Sequence, residues 1–273
     1  MHEEIINKAK NWQQRSDKEN IEINLSWLTN NVVDFNKINL NKTPWVFSNI
    51  PKTAGKALDN YLTQAFVLSD ILNVNSVEFN ALPQCIYLKN KLPKAITGQF
   101  SMSELLYQLV PSQEIVHLSM MRDPVFRVIF LYNDIATENY HNQDDDSESL
   151  DFDSFIQQDN LLEIQNGQAR RFAGLLDSEP DISDKNLYKK AKYVVDNCFS
   201  LIGISEQFNQ FYELLGKKCG IKFHNLAPIV RSKLKVQLSD LKDSQLDIIK
   251  EKNKVDIQLY QYVKNLFTQR MNG

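Results

Sequence analysis

Between Trp45 and Leu58 the chain reads WVFSNIPKTAGKAL, and this run constrains the fold more than any other. Val46, Phe47 and Ile50 supply an apolar strand, Pro51 ends it, and Gly55 lets the backbone come close to a ligand before a helix opens near Lys56. Such a turn aims several unpaired amides and the positive end of a helix dipole at one point, with Lys52 and Thr53 beside it. An anion is expected there.

The rest of the pattern alternates strands with helices. Leu58, Tyr61, Leu62, Ala65 and Phe66 continue a helix with one apolar stripe. Cys85–Leu88 and Ala95–Thr97 read as short strands, and Gln113–Met121 as a buried one ending at Arg122-Asp123-Pro124. Ser101 or Ser103 can cap a helix running through Val110. A last strand spans Phe199–Ile204, a helix follows over Glu206–Cys219, and Leu238–Arg270 forms a tail of two helices. This order predicts an α/β fold: a P-loop-like, mainly parallel sheet flanked by helices, with a helical C-terminal tail. Residues 1–43 form an N-terminal helical extension whose helix over residues 2–20 packs on the outside, and residues 44–273 one α/β domain. Ligands of parallel sheets sit beyond the carboxyl ends of the strands, where the 51–56 turn and the 122–127 segment both fall.

Charge and composition exclude several functions. A formal net charge of -3 does not suit a general nucleic-acid binder, so no nucleic-acid partner is expected and any anion site is local. No run approaches the roughly 18 to 20 apolar residues of a membrane span. The first twenty residues lack the apolar core of a signal peptide, and the expected location is cytoplasmic. Cys85, Cys198 and Cys219 lie far apart, as do His2, His117, His141 and His224, so reduced thiols and no metal site are expected. The acidic run His141–Asp153 reads as a solvated loop without the glycine and terminal glutamate of a calcium loop.

Five strings in order, IPKTAG, MMRDPVFRVIFLY, IQNGQARRFAG, LIGISEQFNQFYELL and NKVDIQLYQYVKNLF, resemble the landmarks of the carbohydrate sulfotransferase family related to heparan sulfate 2-O- and 6-O-sulfotransferases. The likeness runs from about residue 44 to about residue 269. It implies a sulfotransferase that moves a sulfuryl group from 3'-phosphoadenosine 5'-phosphosulfate (PAPS) to a hydroxyl of a sugar or glycan acceptor. Lys52, Thr53, Ala54, Gly55, Lys56 and Ala57 would then hold the phosphosulfate, with Lys52 stabilising charge on the bridging oxygen. Arg122 would contact the 3'-phosphate, to which a guanidinium can make two parallel bonds. Asn166 and Arg170 would lie near the acceptor. Each residue also has a plain structural reading: Lys52 as a solvated lysine, Arg122 or Arg127 as half of an ion pair, Asp123 as a cap for the helix opened by Pro124, and Gly174 as a helix end.

Five positions depart from the family. Lys56 and Ala57 replace two hydroxyl residues, Phe130 stands where a serine meets the 3'-phosphate, and Asn49 stands where a histidine is common. Gln99 occupies the place of the histidine that takes the acceptor proton, and an amide has no useful basicity near neutral pH. Three outcomes stay open: another base such as Glu104 or His141, an acceptor that needs little help, or a catalytically impaired PAPS-binding pseudoenzyme acting as a partner or regulator. An ATP-dependent kinase fits less well, because no earlier glycine opens a Walker loop and no Ser or Thr follows Lys56.

Overall fold

Short, almost wholly apolar strands build the centre of the molecule, and helices cover what they expose. A computed structural model describes residues 2–37, 43–74, 93–99, 101–104, 107, 114–141, 151–176, 181–219 and 235–272. In chain order, helices α1 (His2–Gln13) and α2 (Asp17–Asn31) precede strand β1 (Trp45–Ser48), helix α3 (Gly55–Ala65) and strands β2 (Ile71–Val74), β3 (Ala95–Gly98) and β4 (Val116–Met121). Helices α4 (Pro124–His141), α5 (Phe152–Gln157), α6 (Gly167–Ala173) and α7 (Asp184–Asn197) follow, then β5 (Leu201–Ile204), α8 (Phe208–Cys219), α9 (Asp243–Lys252) and α10 (Lys254–Asn272).

The five strands form one all-parallel sheet in the order β2-β3-β1-β4-β5. The expected α/β architecture with flanking helices and a helical C-terminal end is therefore present. β3, β4 and β5 are buried along their whole length, as strands covered on both faces must be. β1 lies in the middle, with Ser48 opposite Gly98 on one side and Ser119 on the other. At Gly98, φ is 155° and an added Cβ would stand 1.7 Å from the Val74 carbonyl oxygen, so this residue lets β2 and β3 close together.

Topology selects one crevice. From β1 the chain leaves for β2 at the far edge, whereas from β4 it leaves for β5 in the opposite direction. The carboxyl ends of β1 and β4 thus flank a switch point, the place where open parallel sheets bind ligands.

Several sequence expectations need correction. The N-terminal segment is two helices, because Ser16 and Glu19 form a reciprocal capping box that ends one and starts the next. It is also not simply an outer layer: Ala9, Trp12, Ile21 and Leu28 join the main core, and Asn24 donates to the carbonyls of Met102 and Glu104, each at 2.8 Å. The strand expected from Gln113 begins at Val116, with Ile115 bridging Val32 just before it. The one expected from Phe199 begins at Leu201. Cys85–Leu88 and half of the 101–110 segment lie outside the described residues. A second apolar cluster, built from α4, α5 and α9 around Ile129, Phe155 and Ile249, holds α4 beside the switch point.

Candidate functional site

The loop after β1 is shaped by its own backbone. Lys52 and Ala54 both sit in the left-handed region, at φ of 67° and 73°, a conformation that non-glycine residues adopt at a cost of about 1 to 3 kcal/mol. Thr53 is fully buried, and its hydroxyl donates to the Ile50 carbonyl at 2.7 Å, so it braces the turn from inside. Ala54 opens α3 with no side-chain cap, which leaves the first amides of the helix without a side-chain acceptor. The Ala57 amide is used within the turn, on the Ala54 carbonyl at 3.1 Å. Gly55 lies directly beneath the Asn49 amide, where an added Cβ would meet Asn49 Nδ2 at 1.7 Å. The Lys56 side chain lies outside the described residues.

Helix α4 brings the two predicted basic groups to one surface. Lys52 Nζ pairs with Asp134 Oδ2, and the Arg122 guanidinium lies over the Phe130 ring at 4.4 Å from its centre. Phe130 and Asp134 are four residues apart on α4, hence neighbours on one face. Lys52 and Arg122 therefore contact the same helix at positions one helical turn apart, beside the switch point. Phe130, standing in the family's serine position, holds the guanidinium by a cation–π contact.

Arg122 is fixed at its backbone as well. Gln168 Oε1 accepts from the Arg122 amide at 3.0 Å while Gln168 Nε2 donates to the Arg122 carbonyl at 2.9 Å, a two-pronged clasp made by a fully buried amide. Burial pulls the guanidinium below its ordinary pKa, and the Glu206 carboxylate, 4.0 Å from Nε, opposes that shift. Glu206 also accepts from the Tyr260 hydroxyl at 3.0 Å, which anchors it on α10. Asp123 caps α4, its Oδ1 accepting from Val125 at 2.9 Å and Phe126 at 3.3 Å, as the sequence predicts.

Arg127 does structural work. Only 1% exposed, it donates to the Pro51 carbonyl at 3.2 Å and the Glu163 carbonyl at 2.7 Å, and it pairs with the Glu163 carboxylate. Burial alone would raise the Glu163 carboxyl, but Arg127 and Arg171 hold it below its usual range. The loop after β1 is thus tied from behind to the segment that leads into α6.

The two residues assigned to the acceptor are engaged elsewhere. Asn166 Oδ1 accepts from the amides of Val255 and Asp256 at 2.9 and 3.1 Å, while Asp256 accepts from Gln168 and Ala169 at 3.0 and 2.7 Å. Asn166 thereby caps α10 and Asp256 caps α6. Arg170 is buried and donates to the Gln165 carbonyl at 3.1 Å. Gly174 ends α6 in the left-handed conformation at φ of 70°, the reading made from sequence.

Gln99 is exposed immediately after β3, on the same edge of the sheet as the loop. Of the alternative bases, Glu104 follows it in a partly buried turn, and the His141 side chain lies outside the described residues. The carboxylate that reaches Lys52 is Asp134, which sequence reasoning passed over; its signal was a place one turn beyond Phe130 on the same helix. Among the described residues no cluster of three metal-ligating side chains occurs, and no helix is long and apolar enough to cross a membrane. The family models contain no match to the chain, and no curated protein matches it.

Proposed function

We propose that the protein binds PAPS across the β1–β4 switch point and transfers its sulfuryl group to a hydroxyl, carbohydrate being the acceptor class implied by the sequence resemblance. The observation that carries this reading is the shared helix α4, whose Asp134 and Phe130, one turn apart, are touched by Lys52 and Arg122, each following the carboxyl end of a different parallel strand. Two cations on one helix face suit a ligand that carries two anionic groups. The uncapped amides at the start of α3 and the Lys52 ammonium receive the phosphosulfate end, and the Arg122 guanidinium receives the 3'-phosphate. Asp134 and Glu206 occupy these cations in the structure, so the ligand displaces two carboxylates as it binds.

Titration calorimetry tests the reading with PAPS, with its product adenosine 3',5'-bisphosphate and with adenosine 5'-phosphate. The bisphosphate binds more tightly than the monophosphate in the wild type, and Arg122→Met removes most of that preference. No binding of either PAPS or the bisphosphate overturns the proposal.

A second reading, a PAPS-binding protein with impaired catalysis, is favoured by the exposed amide of Gln99 where a base is needed and by Phe130 in the serine position. Sulfate release from labelled PAPS separates the two, since a binding protein holds the nucleotide without consuming it.

A further inference from the structure

We infer that Asp134 is the proton acceptor of this site, released for that task when the donor nucleotide takes Lys52 from it. The inference rests on the sulfotransferase reading above and assigns a residue to the step that Gln99 leaves unfilled.

Three observations carry it. Asp134 pairs with Lys52, the residue that would face the breaking sulfur–oxygen bond, so it is already beside the reacting centre. Its side chain is 29% exposed, open to an acceptor arriving from solvent yet not freely solvated. The helix beneath it is clamped: Asn133, the adjacent residue, accepts from the Val236 amide at 3.0 Å and donates to the Val236 carbonyl at 2.8 Å, and Lys235 donates to the Ala136 carbonyl at 2.9 Å. A group that must meet a hydroxyl at a fixed point gains from such a mount.

Electrostatics supplies the switch. With no nucleotide bound, the Lys52 ammonium holds the carboxylate. A bound phosphosulfate competes for the same ammonium and frees the carboxylate to face the acceptor. In the transfer, the acceptor oxygen forms the new bond to sulfur, the bond from sulfur to the bridging oxygen breaks, and its electron pair leaves with adenosine 3',5'-bisphosphate. The acceptor proton passes to Asp134 and then to water. A carboxylate suffices because in a loose transition state the hydroxyl loses its proton late, as at the aspartate of kinase catalytic loops.

Water serves as the acceptor in the test, which follows release of labelled sulfate from PAPS by the full-length protein, alongside calorimetry with the bisphosphate. Asp134→Asn should slow hydrolysis by about a hundredfold to ten-thousandfold. Bisphosphate binding should be unchanged or tighter, because Lys52 has lost its competing partner, and Asp134→Glu should recover part of the rate. A loss below about a hundredfold in the asparagine variant, a parallel loss of bisphosphate affinity, or no hydrolysis by the wild type above buffer overturns the inference. If the wild type binds the bisphosphate in those cases, the nucleotide-binding reading survives without it; if the wild type does not bind, both fall.

Discussion

Arg127 owes its importance to three acceptors that a lysine cannot reach together: the Pro51 carbonyl, the Glu163 carbonyl and the Glu163 carboxylate. Breaking a buried pair of this kind typically costs about 3 to 5 kcal/mol, and Arg171 keeps Glu163 partly compensated here, which points to the lower end. Arg127→Lys should therefore lower unfolding stability by about 2 kcal/mol and Arg127→Leu by about 3 kcal/mol, read as a shift in urea midpoint at constant slope. The leucine variant should also bind the bisphosphate less tightly, since the loop loses its tie at Pro51. Unchanged midpoints would show that Arg127 is replaceable by repacking. At this scale the sequence was legible where a residue's role is local: Asp123 as a cap and Gly174 as a helix end follow from neighbours within a few positions. The partners of Asn166 were not legible in this way, because they are the amides of Val255 and Asp256, 89 and 90 residues away.

Helices α6 and α10 hold each other by their starting turns. Asn166 takes two amides of α10, and Asp256 takes two amides of α6, so each helix supplies the cap of the other. Burial pushes the Asp256 carboxyl up, while Arg127 and the two donated amides oppose that and favour the charge. Because Gln168 lies in the first turn of α6 and clasps the Arg122 backbone, this mutual capping also sets the position of Arg122. Asn166 is left-handed at φ of 54°, which gives the two simplest substitutions different costs. Asn166→Ala loses the cap and strains the backbone, about 2 kcal/mol or more, whereas Asn166→Gly loses the cap alone, and calorimetric melting should rank them in that order. The reverse ranking would mean that the left-handed turn is not what fixes this corner. Periodicity showed β1, β3, β4 and β5, each within a few residues, because strands buried on both faces read as apolar runs. It left α7 unmarked, although Leu187, Ala191, Val194 and Val195 recur at helical spacing, since lysines between them mask the stripe.

Seen over the whole molecule, the candidate site depends on contacts no local pattern contains: Lys52 and Asp134 are 82 residues apart, and Arg122 and Gln168 are 46 apart. What the sequence did convey was which strand ends carry cations, and the parallel order then brought two of those ends together at the switch point. The same global packing buries His117, the second residue of β4. Its ring stacks on Phe199 with centres 3.9 Å apart, Nδ1 contacts the Cys198 carbonyl, and Nε2 lies 3.4 Å from the Tyr107 hydroxyl. Burial lowers its pKa to about 3, against the opposing pull of the Cys198 carbonyl. In the unfolded chain a histidine titrates near 6.5, so between those values the unfolded state binds a proton that the folded state refuses. Stability is complete above about pH 6.5 and falls as the pH drops through that window, by up to about 1.4 kcal/mol per unit from this one residue. Glu163, held below its usual range, adds its own loss only at the lower end. Urea unfolding at pH 7.5 and pH 5.0 should show a loss of about 2 kcal/mol attributable to His117. His117→Gln should start from a lower stability, having lost the stacked ring, but lack this part of the acid dependence. An equal acid loss in the variant would mean that the folded protein admits the proton, and that the core at β4 is less closed than its packing indicates.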